Sequence, residues 1–405
     1  GAGNETGELH ANVLEMASAM MHIQEKRRPW QLAVVDRVRF VVATVWPVAS
    51  RAAPNGAWVE IYGSLATGLD TPSSDVDLLV RGVALEHCWG HNATAHQQLA
   101  SALHMEGWDE VRVINHTTVP VIKVLTGGGL ISVDISFDGP AHRGLHTATY
   151  VRYLVTTHTA LHPLALVLKQ LLVERGLNDP YSGGLSSFGL VLLIAFILHR
   201  RRTRNGGDVS EDLGAALEEF LRFFGDEFDP SSQGISIKKW SCFPLAAPGA
   251  AAAADDGGIS APARDPLMIE DPTNIFNNVG QSCSGVAALQ RVLSEARRSV
   301  VSCSVADDAA TSVLGCMFGV SGGTHHMKVV DLVKRTWCPP EKPGQMELRL
   351  PRAEARAEAR ATAESLLAES TAPFLQHRFA LTAPKREPEL ELRDIHATRA
   401  SILDS

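Results

Sequence analysis

The sequence predicts an α+β protein with two lobes: a small mixed sheet backed by helices, followed by a mainly helical part. Strand-like runs rich in β-branched residues all lie before about residue 150. After Tyr150 the apolar residues instead recur at helical spacing. With 405 residues, the chain is long enough to bury two separate cores.

The first lobe is predicted from short strands framed by helices. Helices are expected at 12–21, 30–45 and 92–105, and strands at 58–61, 111–114, 119–125 and 130–136. Gly127, Gly128 and Gly129 separate the last two strands, so these two are expected to form a hairpin.

The second lobe is predicted from longer periodic segments. Helices are expected at 164–174, 187–198, 212–224 and 285–300. Residues 245–263 are rich in Ala, Gly and Pro and predict a flexible surface loop within this lobe. Residues 352–370 suit a charged helix, and the chain from about Pro373 has little apolar pattern and is expected to be a tail.

The composition is that of an ordinary soluble globular protein, with 45% hydrophobic and 20% charged residues. No secretory signal is recognised, and the longest apolar run, 188–198, is shorter than the ~20 residues that cross a bilayer. The six cysteines show no CxxC spacing. Neither a disulfide framework nor a zinc site is therefore expected, and a reducing compartment is favoured.

The net charge of −8 at pH 7 argues against strong unaided binding to nucleic acid. One dense basic cluster, residues 199–204, follows the predicted helix 187–198. The helix dipole favours cations at a helix C-terminus, and this explanation is preferred over RNA contact or nuclear import.

The most informative motif is the segment 59–80, which reads VEIYGSLATGLDTPSSDVDLLV. Gly63 and Ser64 end one apolar run; Asp75, eleven residues after Ser64, and Asp77 open a second. Alternate residues of a strand share a face, so the two carboxylates lie side by side. Two carboxylates facing a phosphate-gripping turn suit magnesium-dependent phosphoryl transfer. The pattern resembles the nucleotidyltransferase superfamily of DNA polymerase β, whose signature is a Gly-Ser turn followed by Asp-x-Asp.

A third carboxylate, which that superfamily takes from a neighbouring strand, is expected from Asp134. In the run 130–136 one strand face carries Ile131, Val133 and Ile135, and the other carries Ser132, Asp134 and Ser136. Asp is disfavoured in strands, which favours a functional reason over a polar residue on the open face of the sheet. Asp138 precedes Gly139-Pro140, where Asp is ordinary turn chemistry. Asp134 is therefore chosen over Asp138.

Four later segments, in this order after the Asp-x-Asp motif, narrow the resemblance. They are HPLALVLKQLLVERGLND (162–179), YSGGLSSFGLVLLIAFIL (181–198), LEEFLRFFGDEFD (217–229) and MIEDPTNIFNNVGQSCSG (268–285). Over about residues 10–300 the chain resembles the noncanonical poly(A) polymerases of the nuclear RNA-surveillance type, also called TRAMP-type or topoisomerase-related.

This resemblance implies a bilobal fold with a cleft between a palm-like nucleotidyltransferase domain and a helical central domain. It puts the catalytic domain at 30–150 and the central, poly(A)-polymerase-associated domain at 1–29 and 151–335. The central domain is then discontinuous in sequence. Residues 336–405 are assigned to a charged C-terminal helix and tail.

The resemblance also implies nucleotide-binding residues besides Gly63 and Ser64. Lys169, a cation in an apolar helix, either reaches the surface or pairs with an anion, and the resemblance favours the triphosphate. One serine of the pair 186–187 suffices to cap the next helix, and the resemblance assigns Ser187 to the triphosphate. Phe188 is expected to stack on the base, with core packing as the alternative.

Asn277 and Asn278 lie in the segment that resembles the family's nucleotide-recognition loop. Their amides offer a donor and an acceptor suited to the edge of adenine, whereas a turn or a helix cap is the structural alternative.

The sequence thus predicts a template-independent RNA 3′-terminal adenylyltransferase that uses ATP and two Mg²⁺ ions, for which Mn²⁺ can substitute. Asp75, Asp77 and Asp134 would hold the ions. A terminal uridylyltransferase is the alternative within the fold, and the absence of a histidine between 268 and 285 counts against it. A catalytically idle scaffold for RNA-processing partners is less favoured, because all three carboxylates are present.

The expected partners follow from the resemblance rather than from the composition. They are an RNA 3′ end, a zinc-knuckle RNA-binding protein and a helicase, with no membrane. The expected location is the nucleus, with the cytoplasm or the mitochondrion as alternatives.

Overall fold

The computed structural model describes residues 2–85, 94–126 apart from 109, 116 and 118, then 131–205, 212–245, 267–305 and 313–318. A five-stranded mixed sheet forms the first lobe. Its strands are β1 (Trp58–Ile61), β2 (Val76–Arg81), β3 (Glu110–Ile114), β4 (Val121–Thr126) and β5 (Ile131–Phe137), in the spatial order β1-β2-β5-β4-β3. β2 and β5 are parallel, and the other neighbours are antiparallel. The prediction of an α+β fold is confirmed.

The helices include all the predicted segments that the structure describes, with changed bounds, and three that were not predicted. The helices are α1 (Ala2–Val45), α2 (Gly63–Thr67), α3 (Ala95–Met105), α4 (Gly144–Thr157), α5 (Leu161–Glu174), α6 (Ser187–Arg204), α7 (Leu213–Arg222), α8 (Val286–Val305) and α9 (Val313–Met317). Those that were not predicted are α2, α4 and α9. A two-stranded hairpin, β6 (Gln233–Ser236) and β7 (Ser241–Pro244), lies between α7 and α8.

Alternation along the central strands divides the sheet into two chemically different faces. Val76, Leu78 and Val80 of β2 are fully buried against the helices, as are the alternate residues Val133 and Ile135 of β5. The odd-numbered positions of β2 and the even-numbered positions of β5 therefore point to the opposite face. That face carries the predicted catalytic carboxylates.

The two predicted N-terminal helices are in fact one. α1 runs for 44 residues without interruption, although Pro29 lies inside it. A proline in a helix removes one backbone hydrogen bond, so Pro29 favours a break between the two predicted segments. The helix continues because each half is anchored in its own core: Val13 and Met16 pack with the helical lobe, whereas Val34 and Val38 pack with the sheet.

The helical lobe is built around α5 and α6, whose central residues are almost all buried. α7, α8, α9 and the first half of α1 pack around them. α1 therefore belongs to both lobes, as the discontinuous central domain of the prediction requires. The domain boundaries at 30–150, 1–29 and 151–335 stay a prediction.

Three other local predictions need correction. The helical pattern was expected from Tyr150, but α4 begins at Gly144. The hairpin β6–β7 was not predicted, since its strands are only four residues long. Cys303 and Cys316, from α8 and α9, form a disulfide, although none was expected.

The basic cluster at 199–204 is mainly engaged within the lobe. Arg201 and Arg204 form ion pairs with Glu219, and Arg200 lies over the ring of Phe223. These residues form the last turns of α6, as the helix-terminus explanation requires.

Several predicted features lie outside the described residues. They are the hairpin glycines 127–129, the loop 246–263, the charged helix 352–370, the tail from 373 and the segment 336–405 as a whole. Among the helices that are described, none is long and apolar enough to cross a membrane.

Candidate active site

The predicted carboxylates meet on the open face of the sheet. Asp77 of β2 and Asp134 of β5 are register partners in the parallel pair, so their side chains project side by side. Asp75 lies two residues before Asp77, just ahead of β2. All three line one cavity of about 670 Å³ between the sheet and helices α4, α5 and α6.

The Gly63–Ser64 turn closes over these carboxylates. Gly63 has a φ of +64°, and a Cβ atom at this position would overlap the Asp77 carboxylate. Any other residue would therefore push α2 away from Asp77. The backbone N–H of Tyr62 donates to the Asp77 carbonyl oxygen at 3.0 Å, which fixes the turn to β2. Gly63 and Ser64 both line the cavity.

The carboxylates crowd one another. Burial, together with the charges of Asp134 and Asp75, raises the pKa of Asp77 to about 7, while Lys169 and Lys123 act in the opposite direction. Burial also raises the pKa of Asp134. The site therefore holds more negative charge than its own cations neutralise, which is the condition that favours a bound metal ion.

Lys123 was missed by the sequence analysis. It lies on β4 directly opposite Asp134, and its Nζ donates to both carboxylate oxygens, at 3.0 Å and 2.8 Å. The signal was present, because Lys123 is the only charged residue in the run 119–125 and pairs across the predicted hairpin with Asp134.

Lys169 does not reach the surface, so that alternative is wrong. It is 8% exposed, lines the cavity from α5 and donates to the carbonyl oxygen of Leu69 at 2.8 Å. Burial lowers the pKa of Lys169 to about 8, and Asp70 and Asp77 oppose the change. A buried amine at the edge of an open cavity is available for an anion.

The N-terminus of α6 contributes Ser187 and Phe188. Ser186 is the cap, since its Oγ accepts from the Gly189 N–H at 3.0 Å, which leaves the Ser187 hydroxyl for the cavity. Phe188 lines the cavity and also packs on the helical core, so stacking and packing are compatible here.

Two tyrosines at the cavity were also missed. Tyr62 is held by a hydrogen bond to Ser136 at 3.2 Å and by an edge-on contact with the His142 ring. Tyr181 is 71% exposed at the opening of the cavity, just before the Gly183–Gly184 turn. Nothing in the sequence distinguished these two aromatic residues from ordinary packing.

The two asparagines do not line the cavity. Asn277 Nδ2 donates to Asp271 at 2.8 Å, and Asn278 Oδ1 accepts from the backbone N–H groups of Ile269 and Gly280, both at 2.9 Å. Asn278 Nδ2 donates to the Leu267 carbonyl oxygen. These contacts are the turn-forming alternative, and base reading by the pair stays a prediction.

Asp138, the rejected third carboxylate, lies at the surface instead. It accepts from Arg81 Nε at 2.8 Å and is absent from the lining of the cavity. The choice of Asp134 therefore agrees with the geometry, while its catalytic role stays a prediction.

The donor set suits a magnesium ion bound together with a substrate. In the described part of the chain, no three His, Cys, Asp or Glu side chains form a ready-made metal cage. Magnesium in phosphoryl-transfer sites is typically held by one or two carboxylates and completed by substrate phosphates. Asp75 and Asp77, both lining the cavity, provide the protein part of such a site.

Comparisons with known proteins agree with this architecture. The family model for the central palm domain of mitochondrial-like poly(A) RNA polymerase matches residues 14–147, and that for Cid1 family poly A polymerase matches residues 212–277. The chain is 30% identical over 258 residues to poly(A) RNA polymerase cid14 of Schizosaccharomyces pombe. It is 31% identical over 264 residues to the inactive noncanonical poly(A) RNA polymerase Trf4-2 of Drosophila melanogaster.

These two matches cover 62% and 64% of this chain, but only 35% and 60% of the relatives' own lengths. Among solved structures, the polymerase core of TRAMP, an RNA surveillance complex, superposes with a TM-score of 0.61 at 23% identity. That match covers 76% of this chain and 94% of the other. The Cid1 poly(U) polymerase superposes with a TM-score of 0.55 at 21% identity, covering 73% and 94%.

The solved structures share the fold of this chain, and the two family models match one part of each lobe. Two parts of the chain, residues 14–147 and 212–277, therefore match poly(A) polymerase family models, and the chain has the fold of the TRAMP and Cid1 polymerase cores.

Proposed function

We propose that the protein is a template-independent RNA 3′-terminal adenylyltransferase. The observation that carries the proposal is the convergence of Asp75, Asp77 and Asp134 with the Gly63 turn and Lys169 on one cavity. Carboxylates on one side and anion-binding groups on the other are what transfer of a nucleotidyl group requires.

The proposed roles follow from the position of each group. Ser64 and the Gly63 turn hold the outer phosphates of ATP, and Lys169 neutralises part of their charge. Phe188 stacks on the base. The 3′-oxygen of the RNA attacks the α-phosphorus, the bond to pyrophosphate breaks, and Asp134 accepts the proton of the hydroxyl.

Asp75 and Asp77 are the residues that would hold magnesium, with Asp134 completing the site. Two bound ions would lower the pKa of the 3′-hydroxyl and neutralise the leaving pyrophosphate. A structure of the Cid1 poly(U) polymerase with Mg 3′-dATP bound supports this assignment. Lys123, which bonds Asp134 directly, would release that carboxylate when a metal ion binds.

Uridylyl transfer is the second candidate, because the Cid1 poly(U) polymerase shares the fold. The asparagine pair of the resembled recognition loop favours adenine, since an amide can donate to and accept from its edge; Asn278 is bound to the backbone, so Asn277 is the candidate reader. A catalytically idle role is the third candidate, since one relative, Trf4-2, is named as inactive. The three carboxylates of this chain, all present and close together, favour activity.

We further propose that the protein acts on RNA 3′ ends in a surveillance complex, in the nucleus. The similarity to the TRAMP polymerase core supports this, and a zinc-knuckle protein and a helicase are the partners it suggests. A cytoplasmic or mitochondrial location is the alternative.

The test is an extension assay on a short single-stranded RNA with Mg²⁺ and each of the four nucleotides in turn. The parent should add AMP most efficiently, and Asp77→Asn should add nothing. Asp138→Asn is the matched control, because it removes the same charge from the surface ion pair. A preference for UTP would replace the adenylyl assignment by the uridylyl one. A parent that adds none of the four nucleotides to the RNA would favour the catalytically idle role.

A further inference from the structure

The segment from Gly68 to Ser74, here named the approach loop, leads from α2 directly to Asp75. Its central residues are buried: Asp70 is 0% and Thr71 is 1% exposed. A buried loop carries backbone carbonyl groups and, here, a carboxylate that all need partners. Side chains of α1 and α5 supply several of these partners.

Basic side chains from two helices hold the approach loop. From α1, Arg27 Nη1 donates to the carbonyl oxygens of Thr71 and Ser74, at 3.3 Å and 3.0 Å. From α5, Lys169 donates to Leu69, and His162 Nε2 lies 3.0 Å from the Gly68 carbonyl oxygen. Four of the loop's seven carbonyl groups are thus bound by side chains.

Asp70 adds an ion pair to these contacts. Its Oδ1 accepts from Arg28 Nη2 at 3.1 Å, while Oδ2 is buried without a hydrogen-bond partner. Arg28 follows Arg27 on α1, so two consecutive residues of one helix bind the backbone and the carboxylate of the same loop.

The position of Arg27 on α1 connects these contacts with the active site. Residues 9–20 of α1 pack with the helical lobe and residues 34–42 pack with the sheet, so Arg27 lies where the helix passes from one core to the other. It is 2% exposed and therefore has one fixed environment. The Ser74 carbonyl that it binds belongs to the peptide group joined to Asp75.

We propose that Arg27 is the positioning residue for Asp75: by fixing the Ser74–Asp75 peptide, it holds that carboxylate beside Asp77 for metal binding. The proposal rests on the proposed function, because it assigns Asp75 to a metal ion. Arg27 itself does not line the cavity, so its effect is exerted through the loop. The guanidinium is suited to this, since its Nη1 carries two N–H groups and donates to both carbonyl oxygens.

The test measures Mn²⁺ affinity directly, by electron paramagnetic resonance in the presence of a non-hydrolysable ATP analogue. Arg27→Gln should weaken Mn²⁺ binding about 10-fold or more, the effect typical of losing a group that orients a metal ligand. Extension activity should return towards the parental kcat at saturating Mn²⁺, which a globally damaged protein would not do. Arg39→Gln is the control, because Arg39 lies on the same helix in an exposed pair with Asp36.

Each outcome is decisive. Parental Mn²⁺ affinity in folded Arg27→Gln, with affinity lost in Asp77→Asn, overturns the positioning role and leaves the proposed function intact. Parental affinity in Asp77→Asn instead overturns the metal assignment itself. If Arg27→Gln does not fold, Arg27→Lys replaces it, since the charge is kept while the shorter side chain ends before the position of Nη1; parental affinity there also overturns the role.

Discussion

At the scale of single residues, the carboxylates of the cavity are buried close together, which disfavours their charged forms. A bound cation would offset this effect. Asp77 illustrates this, because Gly63 leaves just enough room for its carboxylate and two other acidic groups lie nearby. Its position could be predicted from strand alternation alone. Its raised pKa could not, because that depends first on burial of the carboxylate and then on the charge of Asp134, which is far away in sequence.

We expect Asp77→Asn to abolish extension and to change how stability depends on pH. The pKa of Asp77 is raised from 3.8 to about 7, so between these values the folded protein binds a proton that the unfolded chain releases. This group therefore stabilises the metal-free protein as pH falls from 7 towards 4 and destabilises it as pH rises.

Thermal unfolding in chelator across that pH range checks this expectation. The melting temperature of the parent, relative to Asp77→Asn, should rise as the pH is lowered. Asp138→Asn again serves as the control. If the melting temperature depends on pH identically in the parent and in Asp77→Asn, the pKa of Asp77 is not raised in the folded protein.

We expect Asp134→Asn to be inactive and Asp138→Asn to retain activity. Asp134 lines the cavity beside Asp77, whereas Asp138 pairs with Arg81 at the surface, where an ion pair contributes about 0–1 kcal/mol. Removing Asp134 also leaves Lys123 without its partner, so the loss of activity should exceed 100-fold, roughly the effect of losing a general base. Primer extension ranks the two variants, and the reverse ranking would mean that the third carboxylate was misassigned.

We expect Phe188→Ala to weaken ATP binding while Phe188→Tyr preserves it. A base stacked on an aromatic ring contributes roughly 1–3 kcal/mol, about 5- to 150-fold in Kd. Calorimetry with a non-hydrolysable ATP analogue measures the change. Equal affinity in all three proteins, each folded by circular dichroism, would leave Phe188 with a packing role alone.

At the scale of elements, periodicity predicted the central strands and the buried helices, and it failed where tertiary packing overrides local preference. α1 is the main example: Pro29 should end a helix, yet both halves are fixed by separate cores. The loop 271–278 is another. The asparagine amide can form hydrogen bonds within a turn or to the edge of a nucleotide base. The sequence alone therefore does not distinguish a structural role from base recognition.

The hydrogen bonds of the loop 271–278 indicate different roles for its two asparagines. Asn278 makes three hydrogen bonds to the backbone, so Asn278→Ala should lower the free energy of unfolding by about 1–3 kcal/mol. Asn277 is exposed and donates to Asp271, so Asn277→Ala should leave stability near the parental value and reduce the preference for ATP over UTP.

Two measurements distinguish these effects: denaturant unfolding, and kcat/KM for ATP and UTP in each variant. Unchanged nucleotide preference in Asn277→Ala would move base reading to another part of the cleft. A shift in preference confined to Asn278→Ala would exchange the two roles.

At the scale of the whole molecule, the two-lobed organisation could be predicted because the period of the sequence changes near residue 150. The cavity between the lobes could not be predicted from that change of period, since its far wall comes from helices that only tertiary packing brings opposite the sheet; the cleft was expected from the resemblance alone. The resemblance supplied that link for Lys169 and Ser187. It supplied nothing for Lys123, whose pairing with Asp134 follows from the register of β4 and β5.

The charge of the whole chain leads to the last prediction, which concerns RNA affinity. The net charge is −8, and the densest basic cluster is partly neutralised, because Arg201 and Arg204 bind Glu219. Few phosphate contacts are then available, so the chain alone should bind a short single-stranded RNA weakly.

The salt dependence of binding counts those contacts. For single strands log K falls with log salt by about 0.7 per neutralised phosphate, so fewer than about three contacts give a slope shallower than about −2. Fluorescence anisotropy titrations at several salt concentrations measure this slope. A value of about −4 or steeper would reveal a basic RNA-binding surface that the chain carries itself, and it would remove the need for a partner that brings the RNA. A shallow slope, combined with extension that becomes efficient only when a basic RNA-binding protein is added, would show that the polymerase core supplies the chemistry and its partner supplies the grip on the RNA.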